Sequence, residues 1–312
     1  MDDDPYEDGT VSERGYSIVE LLISTAIMLA VVGSVCEIMS PAHATAVIQA
    51  EMQDMQQRAR VVADRFTHDL SLAGAGPTSG SRRGPLMRYF APILPRVCCG
   101  AAADPPNSAS SNRLTIAYVP RGSPEALSSS AIGPDARRLD VAPGPSCPPT
   151  AATCGFADGD VLVVFDDSGH YDVFKLDLAS GVPMLDPITP TFETRYGAGA
   201  TVCRVVVRSY YRDARSDQLF TADGDASPQP IVDRISALRV EYVDTSGTPL
   251  DVLLTDGPWR GSGSTTYDAD LLRVRRIRVS YTIRSGLQGT GALHIPDLTS
   301  TFDVAVRNAG GP

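Results

Sequence analysis

Gly15-Tyr16-Ser17-Ile18-Val19-Glu20-Leu21-Leu22-Ile23-Ser24-Thr25-Ala26-Ile27-Met28-Leu29-Ala30-Val31-Val32-Gly33-Ser34-Val35-Cys36 carries a single charged side chain, Glu20. From Tyr16 to Cys36 a helix rises about 30 Å, the thickness of a bilayer's hydrocarbon core, so this stretch predicts a membrane span. Glu20 stands about one turn inside the apolar edge. An ionised carboxylate there costs on the order of a few kcal/mol, and such residues ordinarily have a partner. The preceding residues, Met1 to Arg14, hold one cation, Arg14, and no Lys or Arg follows until Arg58. Acidic residues count little in setting topology, so the N-terminus reads as cytoplasmic and the rest of the chain as lying across the membrane. A secretory signal peptide fits poorly, because its basic start is replaced by Asp2, Asp3, Asp4, Glu7, Asp8 and Glu13. A plain single-span anchor explains the length but not Glu20.

The chain around this segment has 312 residues, 43% of them apolar, which is enough for a packed core and excludes a wholly disordered protein. Its net charge is -10, and its cations are all arginine except Lys175. Nonspecific nucleic-acid binding driven by overall charge is therefore not expected.

Arg14-Gly15-Tyr16-Ser17-Ile18-Val19-Glu20 followed by an uncharged apolar helix resembles the class III signal of type IV pilins and type II secretion pseudopilins. The resemblance implies removal of a leader, residues 1–15, by a prepilin peptidase cutting between Gly15 and Tyr16. It also implies N-methylation of Tyr16 and retention of Glu20 in the mature helix. Tyr16 stands where that family usually has Phe. A glutamate buried among apolar helices is neutralised by the terminal ammonium of an adjacent subunit, which turns an energetic cost into a register signal.

Beyond Pro41 the apolar residues Ile48, Met52, Met55, Ala59, Val62, Phe66 and Leu70 recur in steps of three and four and form one stripe of a helix. Ala73-Gly74-Ala75-Gly76-Pro77 supplies its stop. Within residues 16–76, span and stalk together run for about 55 residues and predict a helix of about 80 Å if straight, weakened at Gly33 and Pro41. The segment Gln57 to Gly76 is similar in a looser way to the same region of PilW-type minor pilins and J-type pseudopilins.

Residues 77–155 are rich in Pro, Gly, Ser and Ala and contain one clear alternating run, Arg113 to Val119. Residues 156–312 carry strand signals at Asp160–Phe165, Tyr171–Leu176, Val202–Tyr211, Ser236–Val243, Arg276–Ile283 and Thr301–Arg307, with a hairpin turn over Asp166–His170. The predicted fold class is α+β: a long N-terminal helix, membrane-spanning in its first half, packed on an antiparallel β-sheet domain with long loops. Asp160–Phe165 and Phe302–Asn308 also resemble stretches of PilW-type minor pilins, so the likeness touches both ends of the chain.

Six cysteines are present. In an oxidising periplasm, Cys147 and Cys154 are candidates to close a short Pro-rich loop, and Cys203 is a candidate partner for Cys98 or Cys99. No metal is expected: neither pair has C-x-x-C spacing. Asp223-Gly224-Asp225 and Asp256-Gly257 read as solvated turns rather than calcium loops. His43 and His68 fall on the helix, and neither His170 nor His294 has a G-x-S-x-G partner, so no catalytic site and no cofactor are expected. Trp259, in a Gly-rich loop, is either an exposed contact or a buried aromatic.

The resemblance implies a minor pilin of a type IV pilus. Its expected location is the inner membrane, single-pass with the domain periplasmic, and then the filament, at or near the tip where it primes assembly. The implied partners are other major and minor pilin subunits, the prepilin peptidase and the inner-membrane assembly platform. The alternatives are a minor pseudopilin of a type II secretion system and, from another class, a membrane-anchored adhesin or ligand-binding module that does not polymerise.

Overall fold

A computed structural model describes residues 15, 17–76, 93, 111–143, 153–166, 171–178, 184–187, 195–224, 226–250, 274–287 and 295–306. The chain divides into two compact units, one of Met1–Gln53 with Leu287–Ile295 and the other of Asp54–Gly286 with Pro296–Pro312.

One helix, α1, covers Ile18–Leu72. Ser17 caps it: the Val19 N–H donates to Ser17 Oγ at 3.3 Å, which satisfies one of the first-turn donors that has no partner within the helix. The helix runs through Gly33 and Pro41 without a break. At its other end Gly74, with φ of 80°, takes the left-handed conformation that closes a helix. The exit then joins a strand, with Gly74 N–H donating to the Ala117 carbonyl at 2.9 Å and Val119 N–H to the Ala75 carbonyl at 2.8 Å.

Thirteen strands follow among the described residues: β1 Arg113–Tyr118, β2 Glu125–Ser128, β3 Val141–Pro143, β4 Val161–Phe165, β5 Tyr171–Asp177, β6 Met184–Pro187, β7 Thr201–Arg204, β8 Val206–Asp213, β9 Gln218–Asp223, β10 Gln229–Val232, β11 Ile235–Val243, β12 Arg276–Ile283 and β13 Leu298–Ala305. They form three antiparallel sheets with the orders β1-β8-β9-β10, β11-β12-β13 and β3-β2-β7-β4-β5-β6. The molecule is thus α+β, with one long N-terminal apolar helix and antiparallel sheets.

The single strand expected over Val202–Tyr211 is two strands in two different sheets, separated by Val205, whose N–H donates to the Val161 carbonyl at 2.9 Å. An unbroken alternating run conceals such a switch, because a one-residue irregularity leaves the apolar pattern readable on both sides. β1 and β2, both before residue 155, pair with β8 and β7 and so are woven into the later sequence.

Core placement explains the composition of the strands. β4 is apolar throughout because both its faces are covered: Leu162 and Val164 join one cluster with Phe174, Tyr196 and Val202, while Val163 and Phe165 join another with Ala117, Val205 and Val207. β12 alternates strictly, with Ile277, Val279, Tyr281 and Ile283 buried and Arg276, Arg278, Ser280 and Thr282 only half-buried.

Candidate functional site: the N-terminal helix

α1 changes character along its length. In the first unit its apolar side chains are uncovered by any described residue, from Ile18 at 78% exposure to Ile38 at 73%, and Leu21, Leu22, Ile27, Met28, Leu29 and Val31 are exposed as well. This is the one described helix long and apolar enough to cross a membrane. Two of its hydroxyls turn inward on the backbone: Thr25 Oγ1 donates to the carbonyls of Leu21 and Leu22 at 3.0 Å, and Ser34 Oγ to that of Val31 at 2.8 Å. Hydroxyls satisfied in this way cost little in an apolar surrounding. Gly15 and Ser17 lie ahead of the helix, and Glu20 is in its first turn, exposed. Tyr16 lies outside the described residues.

Within the second unit the helix is instead buried against strands. Met55, Val62, Phe66 and Leu70 have almost no exposed surface. Phe66 meets Tyr210 of β8 with ring centroids 4.6 Å apart and Phe302 of β13 at 6.5 Å. Tyr281 of β12 donates its hydroxyl to the Ala59 carbonyl at 2.7 Å, and Arg58 bridges Asp54 and Asp233.

At the last turn of this contact sits a charge that the sequence reading passed over. Asp69 is wholly buried, on the stripe that also carries Phe66 and Leu70. Its Oδ2 accepts from the Tyr210 hydroxyl, from Arg208 at 3.0 Å and from Arg65, one turn back, at 3.3 Å. Arg208 reaches on to Asp223 of β9 with two bonds of 2.6 and 2.7 Å. That pair of hydrogen bonds to Asp223 holds the guanidinium's pKa above its ordinary value, against the effect of burial. Burial pushes the Tyr210 hydroxyl up as well, and its bond to Asp69 adds to this. The sequence signal was an aspartate on an apolar stripe opposite strands rich in arginine. Asp223, read as part of a solvated turn, is committed to Arg208.

Cys154 is disulfide-bonded, with a partner outside the described residues, and Cys98, Cys99 and Cys147 also lie outside them. The expected bridge from Cys203 is corrected. Cys203 is a free, fully buried thiol packed among Ala117, Val163, Phe165 and Val207, and burial raises its pKa. A strand cysteine facing a closed apolar layer acts as a small hydrophobe. Cys36 is free and exposed. Among the described residues no three His, Cys, Asp or Glu side chains converge as metal ligands. Asp225, His170, Asp256, Gly257, Trp259 and His294 fall outside the described residues.

Compared with protein-family models, with curated proteins and with solved structures, the chain matches none.

Proposed function

We propose that this chain is a minor pilin of a type IV pilus, processed by a prepilin peptidase after Gly15 and incorporated into a filament through α1. The observation that carries the reading is the junction Arg14-Gly15-Tyr16-Ser17-Ile18-Val19-Glu20 at the head of a helix whose apolar side chains from Ile18 to Met39 are exposed. A helix without a polar face needs lipid or other helices on every side, and a filament core provides the second once the membrane is left behind. Glu20 sets the axial height by meeting the terminal ammonium of a neighbour. The β-domain sits at the filament surface or tip and contacts other minor subunits. The mechanism is assembly rather than catalysis.

The decisive measurement is the mass of the native N-terminus. A chain beginning at N-methylated Tyr16, with Gly15→Ala retaining the leader, supports the proposal. A mature protein that still begins at Met1 in cells containing the peptidase would replace it with a membrane-anchored module that does not polymerise.

A further inference from the structure

The apolar helix carries a second acid that the register argument does not use. Glu37 is exposed in α1 and flanked by Val35, Ile38 and Met39, all large apolar side chains in the open. Four residues on stands Pro41, within the same helix. Proline has no N–H, so the Glu37 carbonyl lacks the donor that closes every ordinary turn. One level of the helix, one residue past the predicted span, therefore presents a carboxylate and a carbonyl to which Pro41 cannot donate, two acceptors among exposed apolar side chains. Once other helices pack around this level, unmet acceptors there are costly.

Among the described residues no side chain meets the Glu37 carboxylate. Between Gly15 and Gln57 there is no Lys or Arg, and the first cation, Arg58, is engaged by Asp54 and Asp233. His43, exposed, is the one imidazole in that interval. Two copies side by side at one height place Glu37 against Glu37, which is repulsive.

We infer that Glu37 and its carbonyl form a docking point for an apolar helix of a different subunit, one that brings an Arg or Lys side chain to this level, and that the chain does not pair with itself here. A guanidinium or ammonium has several donors and can serve both acceptors at once, which neither a hydroxyl nor a second acid can do. This deepens the filament reading by stating the neighbour's chemistry. It rests on that reading only in requiring that helices surround α1.

The full-length chain itself supplies the probe. Wild type and Glu37→Lys, labelled at the C-terminus with donor and acceptor dyes, are mixed in detergent micelles at pH 7.5, and energy transfer is titrated. The expected result is that the mixed pair associates about tenfold more tightly than either chain with itself, consistent with the strength of interhelical polar contacts. Pro41→Ala in the wild-type partner restores the intrahelical bond and should reduce that gain to about threefold or less. Wild type associating with itself as tightly as with Glu37→Lys overturns the inference, as does a gain that Glu37→Gln in the acidic partner leaves intact. Leader removal is scored separately, so a failure of the filament reading and a failure of this one are distinguishable.

Discussion

Asp69 in the last turn of α1 and Arg208 in β8 are 139 residues apart in sequence and joined by a 3.0 Å ion pair with no solvent on the carboxylate side. The pair continues through Arg208 to Asp223, so helix, β8 and β9 share one charged link at the place where the helix leaves its strands. Removing one member of a buried pair strands the other charge and costs about 3–5 kcal/mol. Arg208→Ala is therefore expected to lower the thermal midpoint of the full chain by more than about 6 °C, using about 2–4 °C per kcal/mol for a unit of this size. Replacing both Asp69 and Arg208 by Leu should cost less than either single replacement, and a double-mutant cycle on thermal midpoints checks the coupling. Additive losses would show that the two side chains act independently.

Phe66 carries the apolar half of the same contact, packed at a tilt against Tyr210 and near Phe302. Phe66→Ala should cost about 3–5 kcal/mol, while Tyr281→Phe, which deletes only the donor to the Ala59 carbonyl, should cost about 1 kcal/mol. Denaturant midpoints measured with unchanged m-values would verify the order. Equal losses would show that the hydroxyl, rather than packing, fixes the helix.

The stripe Met55, Val62, Phe66 and Leu70 was readable because helical period and burial coincide, and β12 was readable residue by residue because one face is apolar and the other polar. Asp69 was not, since a polar residue on an apolar stripe looks like an interruption until its partners, more than a hundred residues away, are brought to it. β2, β3, β6, β9 and β10 escaped for another reason. They are short, and Ala, Ser, Pro and Asp within them favour turns when judged locally, whereas pairing to β7, β5 and β8 decides their state. At the N-terminus the opposite holds. The proposed processing signal, Gly15, Ser17 and Glu20, is local and rests on no distant contact.

Alkaline conditions should weaken the helix contact through Tyr210. Burial, then the bond to Asp69, raises its pKa above the unfolded value of about 10. A group raised on folding contributes stability that is complete below the unfolded pKa and is lost as pH rises toward the folded one. The Tyr210 contribution is therefore expected to be level up to about pH 9 and to fall from about pH 10 upward, while the buried Cys203 thiol, also raised by burial, begins its own loss from about pH 8.5. Tyr118 and Tyr281, also raised by burial, add to the fall. Tyr210→Phe should be less stable at neutral pH yet show a shallower alkaline slope. A slope identical to wild type would exclude Tyr210 as a contributor.

The two described free thiols make opposite predictions. Cys36 is exposed on the apolar helix, and Cys203 is enclosed with its pKa raised by burial, so it is neither accessible nor ionised at neutral pH. In detergent at pH 7.5 a maleimide should label Cys36 within minutes and leave Cys203 unmodified until the domain is unfolded, as read by peptide mass mapping. Rapid native labelling of Cys203 would mean that the layer formed by Val163, Phe165 and Val207 opens readily.

Glu20 and the leader separate in a final test. The peptide bond after Gly15 lies ahead of the cap at Ser17, whereas Glu20 is inside the first turn. On the proposed filament reading, changing Gly15 should abolish cutting, while Glu20→Ala should leave cutting intact and lower the amount of this chain in purified filaments at least tenfold, because the neighbour's ammonium would then have no counter-charge at that height. Immunoblots of sheared filaments against whole cells give both readings in one experiment. Normal filament content in Glu20→Ala would detach register from this carboxylate and transfer the burden of incorporation to the apolar surface of α1 alone.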